Sequence, residues 1–281
     1  MKERLPAIGS PWTRVLLFLI AYIVCVVAMS VVVLTLILSG SLKLTLNTNT
    51  MLALISLSSV VSIALVVIFR RYIDKRSISS LGLLPFSKDG YTGLLLAMAL
   101  LGCGTLLLYF NGNLHWLDYS FDTGAFFLSF LVLGLAVFAE ELVFRGYILG
   151  NLMESGNRWY ALLVSAVLFA LAHISNTSIN GVAMVNLVLA GVLLGLNYIY
   201  TKNLWFGILF HFGWNFFQGP VLGYEVSGLG LPGILELEMS GNPLLTGSTF
   251  GFEGSLIATM LLLTAILLLY LAFEKRKAGE V

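Results

Sequence analysis

The chain is a succession of long apolar runs separated by short polar breaks. A helix that crosses the ~30 Å hydrocarbon core of a bilayer needs ~20 predominantly apolar residues, within a range of about 17 to 25. Eight runs approach that length: Val15–Leu38, Met51–Phe69, Tyr91–Phe110, Ala125–Leu149, Tyr160–Ile174, Val182–Tyr200, Leu204–Phe217 and Ser255–Phe273. The pattern predicts an all-α, polytopic bundle of about eight transmembrane helices, forming one membrane-embedded domain over residues 1–281. The fifth and seventh runs are short and carry polar side chains, as expected of helices enclosed by others. The longest break, 218–254, is rich in Gly and Pro and holds Glu225, Glu236, Glu238 and Glu253. It reads as an outer loop with a re-entrant or interfacial stretch around Leu229–Leu237. There is no internal repeat, which argues against an inverted-repeat transporter.

The basic residues orient the bundle. With the N-terminus in the cytoplasm, the inner side collects Lys2, Arg4, Arg14, Arg70, Arg71, Lys75, Arg76, Lys88, Arg158, Lys202, Lys275, Arg276 and Lys277. The outer stretches hold Lys43, and 111–124, 175–181 and 218–254 contain no Lys or Arg. This positive-inside bias puts both termini in the cytoplasm.

Composition agrees. Of 281 residues, 59% are hydrophobic and 10% charged, against roughly 25% charged in soluble domains; mean hydropathy is +0.97. A net charge of +1 with no basic stripe gives no nucleic-acid footprint. The first apolar run far exceeds the ~7–15 residues of a signal-peptide core and reads as a retained helix. Cys25 and Cys103 lie in apolar runs and are expected to be unpaired. The steps Gly146 to Gly150 and Gly191 to Gly195 allow close helix contacts.

Against this apolar background, Glu140, Glu141 and Arg145 fall inside the fourth run. An ionisable side chain at the centre of a spanning helix costs about 2.5–3.5 kcal/mol on insertion scales. Residues four apart share a helix face, so Glu141 and Arg145 can pair. Glu140 lies about 100° around the axis and has no partner on its own helix. One reading is a stabilising ionic network of all three; another is a structural pair beside a free carboxylate. The fifth run ends in Phe169-x-x-x-His173, and the seventh carries His211-x-x-x-Asn215. His115 falls in an outer loop. A buried carboxylate is a good general base, a nearby His can share the proton of a water, and a His with an Asn can donate to an oxyanion. Glu140, His173 and His211 could equally bind zinc, although no HExxH is present. Neither a GxSxG elbow nor a phosphate loop occurs.

Glu140-Glu141-x-x-x-Arg145, Phe169-x-x-x-His173 and His211-x-x-x-Asn215, intact and in this order, resemble the three motifs of the CPBP group: type II CAAX prenyl endopeptidases and the related abortive-infection (Abi) proteins. The resemblance is specific for a catalytic core of approximately 124–217. It implies an intramembrane endopeptidase with a helical bundle around a cytoplasm-facing cavity, acting on prenylated CAAX-type or other membrane-associated peptides. By that resemblance, Glu140 and His173 activate water, His211 and Asn215 stabilise the oxyanion, and Glu141 and Arg145 support them. The family is described as metalloproteases, and a metal-free glutamate mechanism is also argued for it, so a divalent metal such as zinc stays open. The implied partners are the lipid bilayer and a peptide or prenylated protein substrate. Two alternatives remain from the residues: an ion-coupled transporter or proton relay, and a non-catalytic membrane immunity or scaffold protein.

Overall fold

Each apolar run becomes a helix because a backbone in hydrocarbon must satisfy its hydrogen bonds within its own segment. In the computed structural model, which describes residues 5–39, 48–86 and 88–279, the main helices are α1 (Pro11–Leu38), α2 (Thr48–Ile68), α3 (Lys88–Phe110), α4 (Thr123–Glu141), α5 (Arg158–Ala172), α6 (Gly181–Thr201), α7 (Trp205–Phe216) and α8 (Leu256–Gly279). Polar residues at the ends of the runs cap the helices. Ser10, Asp122, Asn157 and Asn180 each accept a hydrogen bond from a first-turn amide of α1, α4, α5 and α6. Lys2, Arg4 and Lys43 lie outside the described residues.

Six of the described helical segments are long and apolar enough to cross a membrane: Pro11–Leu38, Thr48–Ile73, Lys88–Phe110, Thr123–Ser155, Gly181–Thr201 and Leu256–Gly279. The expected count of eight is therefore not reached by length. Helix α5 has 15 residues and α7 has 12, or ~22 and ~18 Å at ~1.5 Å per residue. Helix α7 is enclosed by α3, α4 and α6, whereas α5 packs one face on α6 and leaves Tyr160, Leu163, Val167 and Leu171 exposed on the other. At Gly191 a Cβ would lie 2.7 Å from the Ala166 Cα, so α5 and α6 approach to a distance that only a residue without a side chain permits.

The two ends of the bundle differ. At the end formed by the start of α1, the end of α2 and the end of the long fourth span, Asp74 is fully buried and accepts from Arg14 (3.4 Å), Arg70 (2.8 Å), Tyr147 (3.4 Å) and Asn151 (3.2 Å). Arg14 also reaches Glu154 at 2.6 Å, and Arg76 pairs with Glu154. Arg14 and Arg70, two of the residues assigned to the inner side, are thus buried clasps between helices. At the other end, β1 (Leu114–Tyr119) pairs antiparallel with β2 (Leu235–Met239), Leu114 opposite Met239 and Tyr119 opposite Leu235. Within the stretch around Leu229–Leu237, expected to be re-entrant or interfacial, Leu235–Leu237 belong to strand β2. Alternation of apolar and acidic residues in Leu235–Met239 is a strand period. Cys25 and Cys103 are free thiols.

Candidate active site

Glu140 sits midway along the 33-residue span Thr123–Ser155. Immediately after it, Leu142–Leu149 winds as a π-helix with every residue buried, a distortion that recurs at functional sites. Ser165 of α5 donates to the Phe144 carbonyl at 2.8 Å and ties α5 to this segment.

The two adjacent carboxylates occupy different environments. Glu141 is fully buried, and its Oε1 accepts from Arg145 Nη1 at 2.8 Å and from His211 Nδ1 at 3.0 Å. The Arg145 guanidinium lies 4.3 Å from the centre of the Phe169 ring, a cation–π contact that covers its other face. Gly207 makes room for this arrangement: a Cβ there would stand 2.8 Å from Glu141 Oε2. Glu140, with 34% of its side chain exposed, points the other way.

Two imidazoles converge on Glu140. His173 caps α5, and its Nδ1 donates to the Phe169 carbonyl at 2.8 Å. His211 Nδ1 donates to Glu141. Because a carbonyl and a carboxylate can only accept, both rings are fixed with Nε2 turned inward. These Nε2 atoms lie 3.8 Å (His173) and 3.9 Å (His211) from the same oxygen, Glu140 Oε2, which has no hydrogen-bond partner among the described residues. The separations are too long for direct hydrogen bonds and suit a bridging molecule of water size.

Glu140, His173, His211 and Asn215 all line one cavity of about 440 Å³. Its remaining walls are largely apolar, with Ile55, Leu133, Phe169 and Leu187 from four helices. The exposed rim residues Met51, Ser175 and Thr177 lie at the β1–β2 end of the bundle. Helix α2 carries Met51 near one end, and its π-helical continuation Phe69–Ile73 carries Arg70 at the opposite end, so the mouth is remote from the Asp74 cluster. His115 is in β1, exposed and opposite Glu238, away from the cavity. Among the described residues, no group of three or more His, Cys, Asp or Glu side chains is arranged to hold a metal ion.

Residues 122–217 match the family model described as Type II CAAX prenyl endopeptidase Rce1-like. This stretch is similar to Rce1-like domains. The Rce1-like match covers α4 through α7 and all three motifs, and it supports a CAAX-type membrane protease at the level of the family. No curated protein and no solved structure matches the chain.

One cavity residue outside the Rce1-like stretch was not singled out from the sequence. Glu253, noted only as part of an acidic loop, lines the same cavity and is 9% exposed. Its Oε1 accepts from Trp214 Nε1 at 3.2 Å, and its Oε2 from Ser227 Oγ at 2.5 Å. Burial raises the Glu253 pKa above the usual carboxylate range, partly offset by the Ser227 hydrogen bond, the charges of His173 and His211 and the Trp214 hydrogen bond. The available signal was an acidic residue directly preceding the last apolar run.

Proposed function

We propose that this protein is an intramembrane endopeptidase, a single membrane-embedded domain with its catalytic core at about 124–217. In this reading, a water held between Glu140 Oε2 and His173 Nε2 attacks the scissile carbonyl carbon. Glu140 takes the proton, the carbonyl oxygen becomes an oxyanion, and the C–N bond breaks as Glu140 passes the proton to the leaving amine. His173 Nδ1 is engaged with Phe169, so its Nε2 accepts from the water and orients it. The Asn215 amide, which makes no hydrogen bond to a described residue, and His211 donate to the oxyanion. With Nδ1 already donating to Glu141, His211 donates from Nε2 as the imidazolium. Glu141 and Arg145 hold His211 in place. The substrate in this reading is a prenylated CAAX-type or other membrane-associated peptide, taken from the lipid bilayer.

The convergence of both Nε2 atoms on the unpartnered Glu140 Oε2, inside an apolar cavity, carries this reading. Purified protein in liposomes, given prenylated CaaX peptides and unprenylated membrane peptides with and without chelator, tests it. Cleavage is expected from the wild type and none from Glu140→Ala or His173→Ala. Retained cleavage by Glu140→Ala would overturn the mechanism, loss with chelator would assign a metal, and proton flux without cleavage would favour a transporter.

A specific observation bears on sidedness. The resemblance to CAAX endopeptidases implies a cytoplasm-facing cavity. The rim, however, lies at the end without Lys or Arg in 111–124, 175–181 and 218–254, while Arg70, Arg158 and Lys202 sit at the other. The positive-inside rule favours a mouth on the non-cytoplasmic face. Labelling of Ser175→Cys by an impermeant thiol reagent, in a background lacking Cys25 and Cys103, is expected in intact cells; protection until lysis would restore the cytoplasmic orientation.

A further inference from the structure

Among the described residues, the cavity wall holds two carboxylates, Glu140 and Glu253, and two imidazoles, His173 and His211, but no Lys or Arg. The nearest guanidinium built into the site, Arg145, is buried behind Glu141 and Phe169. Glu253 is held in place rather than merely present. The Asn186 amide donates to the backbone carbonyls of Glu253 and Ser255 at 2.7 and 2.8 Å, clamping the turn against α6. Phe252 beside it fills the space left by Gly104, where a Cβ would lie 2.1 Å from the ring. Trp214 and Ser227, both cavity residues, donate to its two oxygens.

An anion approaching Glu253 would meet a buried carboxylate, and like charges repel more strongly there than in water. A cation would meet complementary charge. The approach is of the same sign: Asp118, Asp122, Glu225, Glu236 and Glu238 lie at the mouth end, with no Lys or Arg in 111–124, 175–181 or 218–254. Such a field concentrates cationic ligands at a cleft.

We propose that Glu253 is a specificity-determining residue that selects a peptide carrying a positive charge, a Lys or Arg side chain or a free amino terminus, close to the bond placed at Glu140, and disfavours a free carboxylate there. The proposal rests on the peptidase reading above and narrows its substrate class toward membrane-associated basic peptides. Among the described residues Glu253 has no Lys or Arg ion-pair partner and is held by the neutral donors Trp214 and Ser227; a cationic group of the substrate supplies a direct ion pair.

The test uses a set of membrane peptides identical except for Lys, norleucine or Glu at each of the two positions flanking the scissile bond. Cleavage is measured with the full chain in liposomes, and binding of the same peptides is measured with the Glu140→Gln variant. The wild type is expected to prefer Lys over norleucine by about tenfold or more in kcat/KM at one position, the worth of a charge-assisted hydrogen bond, and to discriminate against Glu. In Glu253→Gln the ratio of Lys to norleucine falls to about one. Equal rates for Lys and norleucine in the wild type, or an unchanged ratio in Glu253→Gln, would overturn the proposal while leaving the peptidase reading intact. Absence of all cleavage together with a Lys preference in binding would instead sink the peptidase reading and keep the cation site.

Discussion

Glu141 grips His211: Oε1 accepts from the ring Nδ1 at 3.0 Å, across 70 residues of sequence, while it also accepts from Arg145. The pair joins α4 to α7 and turns the His211 Nε2 toward Glu140. A carboxylate in this position sets both the orientation and the proton inventory of the ring.

Glu141→Gln keeps the shape but removes the charge. Cleavage of a membrane peptide is expected to fall by on the order of 10²-fold or more, the scale on which a mispositioned acid–base group acts. Glu141→Ala leaves Arg145 buried without its ion-pair partner and is expected to cost about 3–5 kcal/mol of stability. Thermal unfolding in detergent beside the cleavage assay separates the two; a Glu141→Gln enzyme of wild-type activity would remove Glu141 from the site.

Gly207→Ala places a methyl 2.8 Å from Glu141 Oε2. The fully buried carboxylate has little room to yield, so a loss of about 1–3 kcal/mol is expected, with cleavage lowered through displacement of His211. Unchanged melting and unchanged kinetics would show that the helices slide apart freely.

Asp74 joins α1, α2 and the fourth span through Arg14, Arg70 and Asn151. Asp74→Ala leaves two guanidinium groups without their shared carboxylate and is expected to destabilise the protein by about 3–5 kcal/mol. The cavity is remote from this clasp, so the catalytic rate of the remaining folded protein should stay near wild type. A melting temperature equal to wild type would show the clasp to be solvated.

Glu253 gives a pH signature. Its pKa is raised in the folded protein, chiefly by burial, so the folded state holds the proton more tightly than the unfolded one. Its stabilising contribution is complete below the ordinary carboxylate value of 4.5 and is lost as pH rises through the higher folded value. Glu253→Gln is therefore expected to melt higher than wild type at pH 7, with the difference shrinking as pH approaches the unfolded value. A variant less stable than wild type at neutral pH would show that the charged form is already well partnered. Stability given up at a cavity wall is the usual mark of a functional group.

Much of this protein is legible in one dimension. Hydropathy is a relation between one segment and its solvent, so the apolar runs appear as helices within a few residues of their expected ends. The Glu141–Arg145 pairing is likewise local, because four residues return a helix to the same face. What hydropathy cannot count is enclosure: α7 is apolar enough to span but short, and neighbouring helices surround it. The strand pair β1–β2 and the burial of Arg14 and Arg70 around Asp74 depend on segments far apart in the chain. So does the cavity. Its two histidines face Glu140 only because glycines such as Gly191 and Gly207 set the spacing and rotation of α5, α6 and α7. Glu253 joins them only because a turn fixed by Asn186 aims a loop residue inward. Residue types and local spacing determined the candidate chemistry; the packing of helices against one another decided which side chains meet.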